Sequence, residues 1–232
     1  MEYFYQSSAN KQKLKLIILG DTGVGKTTIV SRFTQRPLPG CIPTIGCNFS
    51  LLRFEATGTD PAFILDVWDT AGQERYHSIL DLYFQNVDVC LLVYDVNDIT
   101  SLVRLFEVWL PRYINSKYNN SSDYSHKIFY LVGNKDDEET VNPTTNQEIK
   151  RILNQHRAVI KQYQIRLWTV SALRDQYIDK LLEDIRQAIL KDVIPHKTPT
   201  NPDTQKSGVV ELVREANDEP SKGWMQFMFS QC

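Results

Sequence analysis

A chain of 232 residues with 42% hydrophobic side chains fills one core plus an appendage and leaves too little for two full domains. Its 26 Lys and Arg against 28 Asp and Glu give a formal net charge of −2, and the basic residues are spread out, which argues against nucleic acid as a partner. The four cysteines show no C-x-x-C spacing, suiting a reducing compartment, and the apolar runs are too short to span a bilayer. The N-terminal stretch has neither a basic and apolar leader nor a Met-Gly start, so membrane attachment is expected to be added chemically.

Residues 13–20, KLKLIILG, read as a buried strand. They run into GDTGVGKT at 20–27, a full phosphate-loop pattern between strand and helix. Gly20 and Gly25 permit backbone turns that side-chain-bearing residues resist, so N–H groups along Asp21, Thr22, Gly23 and Val24 can face a phosphate. The helix behind them points its positive end the same way. Lys26 is spaced to reach the β- and γ-phosphate oxygens, and the Thr27 hydroxyl to ligate Mg²⁺.

That helix is expected to run to about Gln35, where Pro37 and Pro39 stop it. Two β-rich runs, 45–56 and 61–68, flank Thr57-Gly58-Thr59-Asp60 and predict a hairpin. A helix is expected from Glu74 to about Asn86, followed by VDVCLLVYDV, a central parallel strand covered on both faces. Ile99, Leu102, Val103, Phe106, Trp109, Leu110 and Tyr113 then recur at helical spacing, with Pro111 expected to kink that helix or strain its last turns. After a polar loop at 115–126 comes the strand KIFYLVG, then a helix starting near the capping box at Thr145–Glu148. A strand over 164–170 and an amphipathic helix over 178–191 complete the body, and Pro195, Pro199 and Pro202 announce a tail. The alternation predicts a mostly parallel sheet with one antiparallel edge, ligands sitting at the carboxyl ends of its strands.

Three further motifs sit at such ends. DTAGQE at 69–74 places Asp69 near the Mg²⁺, Gly72 to offer an N–H to a γ-phosphate, and Gln73 to orient an attacking water through its amide. NKDD at 134–137 supplies Asp137 to accept from guanine N1–H and the 2-amino group, donors that adenine lacks on that edge. Asn134 is placed to contact the N7 side and brace the loops, and the Lys135 stem to pack over the base. Ser171-Ala172 offers a backbone N–H toward guanine O6.

These four elements in this order, over about residues 13–191, resemble the Ras-like small GTPases. IGCNF at 45–49, WDTAGQERYHSI at 68–79 and YDVND at 94–98 most resemble the Rab family. The resemblance implies an α/β fold, a P-loop NTPase G domain with a six-stranded, mostly parallel sheet, one antiparallel edge strand and helices on both faces. It would span 13–191, after an extension at 1–12 and before a flexible tail at 192–232. It implies a Mg²⁺-dependent switch hydrolysing GTP to GDP, with Thr44 closing onto Mg²⁺ and γ-phosphate. Residues 42–49 and 73–84 would report the state to partners. Ile45, Gly46, Phe49, Trp68 and Tyr83 are the expected effector surface, although each aromatic has an ordinary reading as a core or sheet-face residue. Exchange factor, GTPase-activating protein, effectors, prenyl transferase and a lipid-extracting carrier are the implied partners, at the cytosolic face of intracellular membranes. Since Rab proteins are typically prenylated on cysteines at or next to the C-terminus, the resemblance implies a single prenyl group on Cys232; the tail itself carries no polybasic patch.

The sequence departs from that pattern in the first switch. TQRPLPGCIP is about one residue short, Leu38 stands where an aromatic would stack across guanine, and Cys41 replaces a tyrosine. Leu173 replaces the lysine usual after Ser-Ala, beside the base. The altered switch raises a second reading, a GTP-binding scaffold with little hydrolysis. A small-molecule P-loop kinase is disfavoured by DTAGQE and NKDD together.

Overall fold

The computed structural model describes residues 11–40, 44, 46–72, 80–118, 124, 126–137 and 143–196. The expectations placed on 1–10, Cys41, Ile45, Gln73 and Cys232 lie outside these residues.

Six strands form one sheet in the order β2-β3-β1-β4-β5-β6. They are β1 (Gln12–Leu19), β2 (Cys47–Phe54), β3 (Phe63–Thr70), β4 (Val89–Asp95), β5 (Ile128–Asn134) and β6 (Arg166–Thr169). Every neighbouring pair is parallel except β2 with β3, the hairpin predicted around Thr57–Asp60, whose ends are bridged in antiparallel fashion. β4 and β5 are buried almost throughout, as continuous apolar runs covered on both faces should be.

Helices cover each face over a separate core. On one side α1 (Lys26–Phe33) and α6 (Ile178–Ala188) pack against Leu14, Leu16, Leu65, Val89, Leu91 and Val93 of the central strands, through Ile29, Leu181 and Ile185. Ile178, Leu181, Ile185 and Ala188 repeat at three- and four-residue intervals, so all face inward; each larger side chain contributes about 1.5–3 kcal/mol by leaving water. On the other side lie α2 (Ile99–Arg104), α3 (Leu110–Ile114), α4 (Pro143–Gln155) and α5 (Arg157–Gln162), over Ile17, Leu19, Leu92 and Leu131.

Several helices differ from expectation for physical reasons. Pro111 does not simply kink its helix: a π turn, Leu105–Trp109, joins α2 to α3 immediately before it. Proline has no N–H and its ring crowds the carbonyl four residues back, and a widened turn relieves both. The same arrangement recurs where the π turn Ile189–Val193 precedes Pro195, carrying the last helix past Lys191. The helix expected from Thr145 begins at Pro143, a proline suited to a first helical turn, and breaks at His156. Of the expected 74–86 helix, the described part is mainly a 3₁₀ turn, Asp81–Phe84. No helix among the described residues is long and apolar enough to cross a membrane.

Candidate nucleotide site

The carboxyl ends of β1, β3, β4 and β5 converge on the phosphate loop. Gly20, Gly23 and Gly25 all hold positive φ, at 146°, 83° and 95°. At two of them space is also closed: a Cβ on Gly20 would strike the Val93 carbonyl of β4, and one on Gly25 would strike the Asn134 carboxamide. Gly72, in the loop after β3, lies so close to the Asp21–Thr22 backbone that it admits no side chain. The second loop therefore rests on the first.

A cavity of about 350 Å³ opens over this loop, lined by Gly23, Lys26, Thr27, Thr44 and Gly72 among others. The Lys26 ammonium donates to the carbonyls of Gly20 (2.8 Å) and Asp21 (2.7 Å), curling the loop around itself. Burial lowers its pKa to about 8, opposed by Asp69 and Asp21. Phosphate oxygens beside it would favour the charged form.

The hydroxyls of Thr27 and Thr44 are 2.8 Å apart. Asp69, at the end of β3, is 1% exposed, and neither carboxylate oxygen has a partner at hydrogen-bonding geometry. Burial raises its pKa, while the nearby Thr27, Lys26 and Asn48 pull it back. A buried, unsatisfied carboxylate is costly unless something cationic completes it. Two hydroxyl oxygens and a carboxylate are hard donors of the kind Mg²⁺ takes from a protein, with water and phosphate supplying the rest.

The base-side residues are tied to the same loop. Asn134, 2% exposed, donates from Nδ2 to the Val24 carbonyl (2.9 Å) and accepts at Oδ1 from the Ala172 N–H (3.0 Å). It braces the two loops as expected, and the N–H assigned to guanine O6 is engaged by it in this structure. Asp137 accepts from the Ser171 hydroxyl at 2.6 Å. Lys135, at φ 68°, directs its ammonium to Asp95 at 2.7 Å, stretching its stem alongside the loop. Leu173 is 62% exposed, as an apolar substitute for a lysine at a loop tip would be.

Arg32 of α1 was not singled out in the sequence, yet it donates to the carbonyls of Ala172 (2.8 Å) and Leu173 (2.6 Å) and so holds the Ser-Ala-Leu loop from below. No local pattern marks it, since its partners lie 140 residues away.

Phe49 and Trp68 are cross-strand neighbours on β2 and β3, their rings 5.4 Å apart edge to face, and Tyr83 lies 5.2 Å from Trp68. Lys15 caps the Trp68 ring at 4.4 Å. Phe49 is 47% exposed, whereas Trp68 and Tyr83 are half-buried against the core beneath it. Gly46, at φ 73°, accepts from the Ala71 N–H and ties the start of β2 to the loop after β3.

A model of the Ras family matches residues 15–191. The chain belongs to the Ras family. Among curated members it is 36% identical over 154 residues to the Ypt/Rab-type GTPase avaA of Emericella nidulans, covering 66% of this chain and 69% of that protein. It is 38% identical over 131 residues to the Ras-related protein Rab7 of Pisum sativum, covering 56% and 61%. It is 32% identical over 187 residues to the Ras-related protein Rab-7a of Paramecium octaurelia, covering 78% and 84%. The match to the Pisum protein thus spans less than two thirds of its length. Within the Ras family the α/β P-loop fold of this chain goes with a Rab-like sequence.

Proposed function

We propose that this chain is a Rab-like GTPase, a switch that binds GTP and GDP, hydrolyses GTP and acts in intracellular membrane traffic. Membership of the Ras family and similarity to Ypt/Rab-type proteins support the activity. The observation that carries the site is the buried Asp69 carboxylate, with no partner at full hydrogen-bonding geometry, beside the paired Thr27 and Thr44 hydroxyls and a cavity lined by Lys26.

In this reading Thr27, Thr44 and Asp69 would hold Mg²⁺, Asp69 directly or through water, and the metal would supply neutralisation of the phosphate charge. Loop N–H groups and Lys26 orient the phosphates, and Gly72 offers its N–H to the γ-phosphate. Gln73 orients a water in line with the γ-phosphorus. The water oxygen bonds to phosphorus as the bond to the β,γ-bridging oxygen breaks, leaving GDP and phosphate. Asp137, Asn134, Lys135, Ser171, Ala172 and Leu173 hold guanine. Loss of the γ-phosphate releases Thr44 and the segments around Ile45, Gly46, Phe49, Trp68 and Tyr83, which distinguishes the two states for effectors.

An exchange factor, a GTPase-activating protein, a prenyl transferase and a lipid-extracting carrier complete the cycle, with a prenyl group on Cys232 at the cytosolic face of intracellular membranes. A G domain over 13–191 and a tail over 192–232 fit this division of labour. Single-turnover conversion of bound GTP to GDP tests the proposal: the rate should need Mg²⁺ and fall sharply in Gln73→Leu. Equal, negligible turnover in both proteins would instead mark a GTP-binding scaffold that does not cycle.

A further inference from the structure

Asp21 belongs to the phosphate loop, but its carboxylate is engaged elsewhere. Oδ1 accepts from the Trp109 indole N–H at 2.7 Å, and Oδ2 lies 2.7 Å from Arg104 Nε. On its backbone side the Asp21 carbonyl receives the Lys26 ammonium. One residue is therefore held from two directions, by the phosphate-binding lysine and by the helix across β4. Oδ1 thus accepts a charge-assisted hydrogen bond, the stronger class, while Oδ2 meets the Arg104 guanidinium as an ion pair without hydrogen-bonding geometry at Nε.

The helix reaches Asp21 this way because of its π turn. Arg104 and Trp109 are five residues apart, which on a regular α-helix separates them by about 140° around the axis. They would then point to different neighbours. The widened turn Leu105–Trp109, closed by the Leu110 N–H onto the Leu105 carbonyl, brings residues five apart back toward one side. Pro111 disfavours the regular alternative at that point. Trp109 is fully buried, which fixes the indole in place.

Charge adds a second effect. An uncompensated carboxylate on the loop would repel the polyphosphate that the loop is built to hold, and Arg104 offsets it.

We propose that Arg104 and Trp109 are positioning residues that fix the phosphate loop through Asp21, so that the widened turn between α2 and α3 sets how long a guanine nucleotide stays bound. This rests on the reading of the loop as the nucleotide site. The test uses the full chain loaded with N-methylanthraniloyl-GDP and chased with excess GDP. Trp109→Phe, which keeps the packing and loses the N–H, should speed release about tenfold, the worth of a charge-assisted bond, and Arg104→Met, which loses a part-exposed ion pair, about threefold. In an Asp21→Ala background neither should add to the rate, because the contact they act through is gone. A variant that keeps the side-chain shape, Asp21→Asn, should partly restore slow release to Arg104→Met by removing the uncompensated charge. Unchanged release in both single variants, or the same acceleration with and without Asp21, would overturn the proposal. Failure of the wild-type chain to retain the labelled GDP at all would instead refute the nucleotide site on which it rests.

Discussion

The hydroxyl oxygens of Thr27 and Thr44 lie 2.8 Å apart, although one begins a helix anchored in the core and the other precedes an edge strand. One hydroxyl donates to the other at that distance, which also sets both oxygens within reach of one cation. Replacing Thr27 by Val should raise the Mg²⁺ concentration needed to retain either GDP or GTP, by about tenfold or more. Thr44→Val should do so for GTP while leaving GDP nearly unaffected, since Thr44 is assigned to the γ-phosphate state. Mg²⁺ titrations of nucleotide retention check this; equal effects on both nucleotides from Thr44→Val would contradict it.

Base selectivity should rest on Asp137. Its carboxylate, oriented by the Ser171 hydroxyl at 2.6 Å, is the proposed acceptor for the two donors on the guanine edge. Asp137→Ala should weaken GDP binding by at least about tenfold per lost charge-assisted bond, with little change in the weak binding of ADP. Competition with the two nucleotides measures the ratio, which should collapse toward unity.

Gly20 is a stability position more than a binding one. At φ 146°, with the Val93 carbonyl where a Cβ would sit, Gly20→Ala must shift the loop off the central strand. A cost of about 2 kcal/mol follows from strain of this kind, or roughly 4–8 °C in Tm. Calorimetry should show that drop, whereas Gly23→Ala, with open space around it, should show a smaller one.

Tyr94 gives a pH signature. Burial, with Asp136 adding to it, raises its pKa to about 12, from the ordinary 10.0. A group whose folded pKa is raised contributes stability that is complete below the unfolded value and is lost as pH climbs through the folded one. The unfolded chain releases this proton first, so unfolding free energy should fall between pH 10 and about 12, by roughly 1 kcal/mol per pH unit for this residue. Tyr94→Phe should show a shallower fall over that window in urea titrations; an identical slope would contradict the assignment.

The site was legible wherever its chemistry is local in sequence. Gly20, Gly25, Lys26 and Thr27 are fixed by spacing within one turn, and Asn134 and Asp137 by their place after an apolar strand. Contacts between distant segments left no such mark. Arg32 reaches carbonyls 140 residues on, and Trp109 reaches a carboxylate 88 residues back. The apolar periodicity of residues 99–113 located the helix and Pro111 flagged a disturbance. It could not show that the disturbance is a π turn, because a one-residue widening leaves the same residues buried. Phe49 and Trp68 were ambiguous for a related reason, since an aromatic on a strand near the sheet edge reads alike whether it faces core or solvent.

Whether the cavity over residues 20–27 holds a guanine nucleotide is the question on which everything else depends. Denaturing the purified protein and identifying what it releases tests this most directly. GDP or GTP is expected at close to one per chain, lost when Mg²⁺ is chelated. Release of an adenine nucleotide, or of no nucleotide from protein also unable to take up GDP, would contradict it.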